Sequence, residues 1–236
     1  MRVDALLSRY GYCSRREAAA WVKQGRVAAG GEVLRSPSSQ AQPDTVLVDG
    51  EPVPFPQGIC VALHKPVGYT CSHDAADGAP VYELLPPQWL RRTPPVQTVG
   101  RLDKETSGLL LITDDGALLH ALTSPKRHVP KVYAFVTSAP VPAAAVELFA
   151  SGELLLRGEK TPCLPAQLVL TGECTGELTL HEGRYHQVRR MLAAVGAPVV
   201  ELQRVAIGSL LLAELKLAPG EWVPVAPSLL IPSAKA

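Results

Sequence analysis

Pro52, Pro54 and Pro56 stand at alternate positions within residues 36 to 58, a stretch otherwise rich in Pro, Ser, Gln and Gly. Each proline removes a backbone donor and fixes φ, which stiffens the segment and makes it the natural break between two folding units. The expected domains are residues 1–58 and 59–236. A chain of 236 residues can bury a real core in the larger unit and leave a small one beside it. Within the break, Thr45-Val46-Leu47-Val48 has a strand pattern and is expected to close the small unit.

Ser14-Arg15-Arg16-Glu17 is a capping box, in which the serine hydroxyl and the Glu17 carboxylate satisfy each other's backbone amides and start a helix. That helix carries Ala18, Trp21 and Val22 on one face and stops at Gly25. A turn of helix is expected before it, from Val3 to Arg9, and Gly30-Gly31 reads as a hairpin turn between two short strands. The whole chain has 23 Lys and Arg against 22 Asp and Glu, so its balance alone gives no reason to expect a polyanion. Met1 to Arg35 is different: seven basic residues face three acidic ones. This local excess suggests an electrostatic footprint confined to the N-terminus.

Beyond Gly58, strand signals (Ile59 to Leu63, Leu109 to Thr113, Lys131 to Thr137, Glu177 to His181) alternate with short helical ones (Ala117 to Leu122, Ala143 to Ala150, His186 to Val195). They lack the regular long crossover helices of a doubly wound parallel sheet, so the expected class is α+β with a mixed or antiparallel sheet. Residues 227 to 236 read as a loose tail. The five cysteines are widely spaced, without a C-x-x-C pair, and read as reduced cytosolic thiols. With no stretch of eighteen apolar residues and no signal-like N-terminus, the expectation is a soluble cytoplasmic protein without a membrane partner.

Three stretches carry candidate chemistry. In Gly100-Arg101-Leu102-Asp103-Lys104-Glu105-Thr106-Ser107-Gly108, a polar loop runs into the apolar strand Leu109 to Thr113. A carboxylate flanked by Arg101 and Lys104 should stay ionised, so Asp103 can be a nucleophile or base, or it can satisfy turn amides. Asp114 and Asp115 read as turn residues. The second stretch, Lys131 to Thr137, puts Lys131, Tyr133, Phe135 and Thr137 on one strand face. Tyr133 could stack on a nucleobase, worth about 1–3 kcal/mol, or pack in the core.

In the third, Val188, Met191, Leu192 and Val195 form the inward stripe of a helix ending at Gly196, while Arg184, His186, Gln187, Arg189 and Arg190 crowd its start. Basic side chains at a helix N-terminus call for a carboxylate or phosphate to meet them, unless they form a solvated face.

The loop Gly100-Arg101-Leu102-Asp103 with Thr106-Ser107-Gly108-Leu109 resembles the signature of bacterial ribosomal RNA pseudouridine synthases, and Glu182 to Met191 resembles a later motif of those enzymes. Ser14 to Glu17 with Gly25-Arg26-Val27 resembles the S4 RNA-binding domain. The three motifs span most of the chain in the expected order. His64-Lys65-Pro66-Val67-Gly68-Tyr69, Thr123-Ser124-Pro125-Lys126-Arg127-His128 and Lys131-Val132-Tyr133 look most like the branch acting on small-subunit RNA.

The resemblance implies an isomerase that converts one uridine of ribosomal RNA to pseudouridine, in 16S RNA at a site of the uridine 516 type, with large-subunit 23S RNA as the alternative. It makes Asp103 the catalytic aspartate, attacking the ribose or the uracil ring of a flipped-out uridine. Tyr133 would stack on the base and Arg189 would pair with Asp103. Arg101 would contact RNA or fill the vacated space, and Arg184 and Gln187 would also touch RNA. The S4-like unit would bind phosphates through Arg15, Arg16, Lys23 and Arg26. No metal and no cofactor are implied. The expected partner is 16S RNA or a small-subunit assembly intermediate, bound by a monomer.

Two positions depart from the family pattern: Gly30-Gly31 replaces the usual Asn-Gly, and Arg189 stands where close relatives carry Lys. Two other readings compete. An S4-domain RNA-binding protein that had lost catalysis would lack the aspartate, tyrosine or arginine, and all three are present. A glycosidase using Asp103 needs a partner acid, Glu105 or Glu182, and leaves the S4-like segment without a role.

Overall fold

The computed structural model describes residues 1–124 and 128–230. The Pro125-Lys126-Arg127 portion of the small-subunit-like segment, and residues 231–236 of the expected tail, lie outside them.

In the N-terminal unit, helices α1 (Val3–Arg9) and α2 (Ala18–Lys23) pack on four short antiparallel strands, β1 (Val27–Ala29), β2 (Glu32–Val33), β3 (Val46–Val48) and β4 (Glu51–Pro52), in the order β2-β1-β3-β4. The capping box forms: the Ser14 amide donates to Glu17 Oε2 at 2.8 Å, and the Glu17 amide donates to Ser14 Oγ at 3.3 Å. The helix proper begins at Ala18, after one turn. Gly30 (φ +60°) and Gly31 (φ +87°) make the first hairpin. A second hairpin, at Asp49 and Gly50, also with positive φ, lies inside the segment expected to be a linker. Pro52 is tolerated there because β4 is an edge strand. Leu6, Leu7, Val22, Val27 and Val46 fill this small core.

The larger unit is a mixed sheet, and the α+β expectation holds. Its strands are β5 (Cys60–Lys65), β6 (Gln97–Val99), β7 (Ser107–Thr113), β8 (Lys131–Thr137), β9 (Gln167–Leu170), β10 (Thr175–Leu180), β11 (Val199–Ile207), β12 (Leu210–Leu211) and β13 (Trp222–Pro224), in the order β13-β5-β7-β11-β8-β10-β9. Strand β6 pairs β7 beyond the reach of β11, and β12 pairs β11. Among the described strands, only β7 and β11 run parallel. Helices α3 (Gly116–Thr123), α4 (Ala144–Ser151), α5 (Gln187–Ala194) and α6 (Leu212–Leu215) cover the faces.

One face is divided. Helices α4 and α5 cover the β8–β10 end through Ala145, Phe149, Val188, Met191 and Leu192. The segment between β5 and β7 covers the other end through Tyr82, Trp89 and Leu102. Tyr133 touches both layers and so marks the seam between them. On the opposite face, Leu118, Leu122 and Ile207 pack with Leu230. Pro227–Leu229 is a 3-10 turn and Leu230 is buried, so the chain stays attached well past the point where a loose tail was expected.

The two units share the segment between them. Val53 belongs to the N-terminal core, whereas Phe55 packs edge-on against Trp89 at 5.0 Å. Arg92 donates to the carbonyls of Pro54 and Phe55, both at 3.1 Å, and pairs with Asp114 at 3.1 Å, with both side chains almost wholly buried. Asp115 caps α3 by accepting from the amides of Ala117 and Leu118. Both aspartates therefore serve the fold. No helix among the described residues is long and apolar enough to cross a membrane.

Candidate active site

The sheet register lines up four residues on the divided face. Lys65 on β5 opposes Gly108 on β7, Gly108 opposes Arg204 on β11, and Arg204 opposes Tyr133 on β8. Alternation along each strand puts the Lys65, Arg204 and Tyr133 side chains on the same side. Only glycine fits at 108. A Cβ there would lie 2.3 Å from the Arg204 carbonyl oxygen, and its φ of +109° is one that other residues rarely adopt. The close approach lets Arg204 Nε donate to the Leu109 carbonyl at 2.7 Å. Arg204 is buried, and its Nη2 finds no hydrogen-bond partner among the described residues.

Asp103 sits on the loop that enters β7, and the loop is clamped from several directions. Lys65 is fully buried, and its ammonium donates to the carbonyls of Thr106 (2.7 Å), Pro66 (3.0 Å) and Asp103 itself (3.1 Å). Burial lowers the Lys65 pKa to about 8. The Leu102 amide donates to Cys71 Sγ and the Gly68 amide to the Lys104 carbonyl. The Asp103 carboxylate remains one-third exposed. A partly desolvated carboxylate on a fixed loop above a floor containing two buried cations is well suited to nucleophilic or base chemistry.

The expected pairing of Arg189 with Asp103 is not present. Arg189 instead donates to the carbonyls of Glu105 (2.9 Å) and Val199 (3.2 Å), bridging α5, the Asp103 loop and the start of β11. The side chain facing the Asp103 carboxylate is His186, whose Nε2 lies 3.3 Å from Oδ1. His186 precedes α5 with φ +48°, which turns the chain sharply. Arg101 and Lys104 lie outside ion-pair distance of Asp103, so sequence adjacency did not make them its partners.

Arg184 and Gln187, expected to touch RNA, are spent within the protein. Arg184 pairs with Glu182 (3.0 Å) and Glu159 (3.6 Å) and donates to the carbonyls of Thr161 and Pro162. The Gln187 amide donates to Glu182 at 2.6 Å and its side chain is buried. Arg190 pairs with Glu159 at 2.7 Å. The carboxylates that the basic helix start called for are thus the protein's own. Glu182 is fully engaged and cannot be the partner acid of a glycosidase.

In the N-terminal unit, Arg15 pairs with Asp4 at 3.1 Å. The hydrogen bond from Arg2, together with those from Arg15 and the Ala5 amide, holds the Asp4 carboxyl well below the usual carboxylate range. Arg26 pairs with Asp49 at 2.6 Å and lies 3.5 Å over the Trp21 ring. Arg16 and Lys23 are exposed and form no ion pair among the described residues. Among those residues, no group of three His, Cys, Asp or Glu side chains could hold a metal ion.

Sequence reasoning missed Lys65, Arg204 and the contact made by His186. Lys65 could have been suspected as a charge ending the apolar run Cys60 to Leu63. Nothing local distinguishes Arg204.

Comparisons with known proteins show what the two units are similar to. Residues 59–151 match the model of the RNA pseudouridylate synthase family, and residues 1–47 match the S4 domain. The chain is similar to ribosomal small subunit pseudouridine synthase A of Pasteurella multocida, at 39% identity over 94% of each chain. It is equally similar to the protein of the same name in Escherichia coli K12, at 39% identity over 95% of this chain and 96% of the other. A crystal structure described as a pseudouridylate synthase superposes with a TM-score of 0.67 at 37% identity, covering 97% of both chains.

Proposed function

Because the chain belongs to the S4-containing bacterial ribosomal RNA pseudouridine synthases, isomerases of uridine in RNA, we propose that it modifies a single uridine of small-subunit 16S RNA, at a site of the uridine 516 type. The observation that carries the reading is the placement of Asp103. Its loop is fixed by Lys65 and Arg189, its carboxylate is open to solvent, and the seam marked by Tyr133 runs through the same face of the sheet.

The reaction breaks the N1–C1′ glycosidic bond, turns the uracil and forms a C5–C1′ bond; C5 loses a proton and N1 gains one. In this reading Asp103 is the nucleophile that allows the base to detach. The uridine must leave its stack first, at a cost of a few kcal/mol that protein contacts offset. Tyr133, at the seam, stacks on the extruded base. Arg189 acts on Asp103 through the backbone of its loop rather than by direct pairing. Arg101, exposed beside the nucleophile, contacts the RNA. The N-terminal unit supplies phosphate contacts through Arg16 and Lys23. The protein works in the cytoplasm as a monomer on 16S RNA or a small-subunit assembly intermediate. Two close relatives carry the small-subunit name, which favours that target over large-subunit RNA.

The test is pseudouridine mapping of ribosomal RNA from cells lacking the protein, repeated after treatment with the purified enzyme. One small-subunit site lost and then restored is the expected result. A lost site in large-subunit RNA would overturn the target, and no lost site together with no activity on assembly intermediates would overturn the reaction.

A further inference from the structure

Tyr185 is 77% exposed, more than any other large apolar side chain among the described residues. It is nevertheless held in place. Its carbonyl accepts from Arg190 Nη1 at 3.1 Å, and Arg190 is anchored in turn by Glu159 and by the Arg157 carbonyl. Arg184 ties the preceding residue to the same Glu159. The Tyr185 ring stacks on the imidazole of His186, with centroids 3.9 Å apart and planes 15° from parallel. That same imidazole lies 3.3 Å from the Asp103 carboxylate.

A ring has two faces, and His186 covers one. The other faces solvent on a fixed mount, one side chain away from the nucleophile. An aromatic face left open in this way is free to stack on another ring. Flipping a uridine out of its stack strips its neighbours of a stacking partner, and an unpaired base binds to an open ring face whatever its sequence. We propose that the open face of Tyr185 is a stacking site for an unpaired RNA base flanking the target uridine, and that the Tyr185–His186 stack couples the seating of that base to Asp103. This inference rests on the proposed function.

The probe is a small-subunit RNA fragment containing the target loop, with 2-aminopurine placed in turn at each position flanking the uridine. Binding to the wild-type protein should quench the fluorescence of one flanking position. Tyr185→Ala should lose that quench and raise KM on the order of 10-fold, with the loss falling on KM more than on kcat. Tyr185→Phe and Tyr185→Trp should restore both, because stacking needs the ring and not the hydroxyl. A Tyr185→Ala protein with the wild-type quench and KM would overturn the site, as would failure of the two aromatic variants to rescue. The fluorescence measurement needs only binding, so absence of turnover by the wild-type protein would count against the proposed function and leave the stacking site to be judged by the quench.

Discussion

His186 Nε2 faces Asp103 Oδ1 at 3.3 Å, while Arg189, in the first turn of the helix that His186 precedes, passes the carboxylate by and holds the backbone of its loop at the Glu105 carbonyl. Asp103 is thus held by groups acting on the main chain of its loop, and its carboxylate stays one-third exposed. Asp103→Asn is expected to abolish turnover and leave RNA binding largely intact, since the substitution preserves shape and removes the charge. Release of tritium from RNA labelled at uridine C5 and filter binding on the same RNA check it; unchanged turnover would sink the mechanism.

Arg189→Met removes the donor from two carbonyls and should lower stability by about 1–3 kcal/mol as well as reduce activity. Arg189→Lys keeps one of the two hydrogen bonds and should retain part of each. Denaturant unfolding alongside turnover distinguishes this positioning role from direct pairing: an Arg189→Met protein of full stability but no activity would indicate contact with the carboxylate instead.

Lys65 carries a pH signature. Its pKa in the folded protein, about 8, lies below the ordinary lysine value because burial disfavours the charge. Below pH 8 the side chain is charged in both states, and the folded state bears the full desolvation cost. Between pH 8 and about 10.5 the folded side chain loses its proton before the unfolded one does, so that cost is progressively relieved. The stability of the wild type relative to Lys65→Met should therefore rise across this window, by up to about 3 kcal/mol. Urea melts of both proteins at pH 7 to 10 measure the difference, and a flat difference would rule out a charged, buried Lys65.

The Arg92–Asp114 pair is buried on both sides and also holds the segment joining the two units. Asp114→Ala leaves an unpaired buried guanidinium and should destabilise the protein by about 3–5 kcal/mol. Thermal unfolding reads this directly, and a loss under about 1 kcal/mol would mean that water reaches Arg92.

Four basic residues of the N-terminal unit divide by whether they already have partners. Arg16→Ala and Lys23→Ala should weaken RNA binding and each lower the slope of affinity against salt by about one. Arg15→Ala and Arg26→Ala should lower that slope less, because those guanidinium groups are paired with Asp4 and Asp49. Equal slopes for all four variants would contradict the division.

Local rules determined much of this protein from its sequence. The capping box at Ser14, the glycine hairpin at 30–31, strand β8 and the inward stripe of α5 all lie where hydrogen-bonding chemistry and periodicity place them, because each depends on residues a few positions apart. The family motifs likewise pointed to Asp103 and its loop. Strand β11 escaped this reading: it is central, yet it places the buried charge of Arg204 within its apolar pattern and is broken by two register shifts. Tertiary structure alone decided which ionisable groups meet. Glu159 reaches Arg184 and Arg190 across about 30 residues of chain, and His186 reaches Asp103 across more than 80. Ion pairing depends on distance in space, and the short-range patterns that specify a helix or a hairpin carry no information about which surfaces the sheet will bring together.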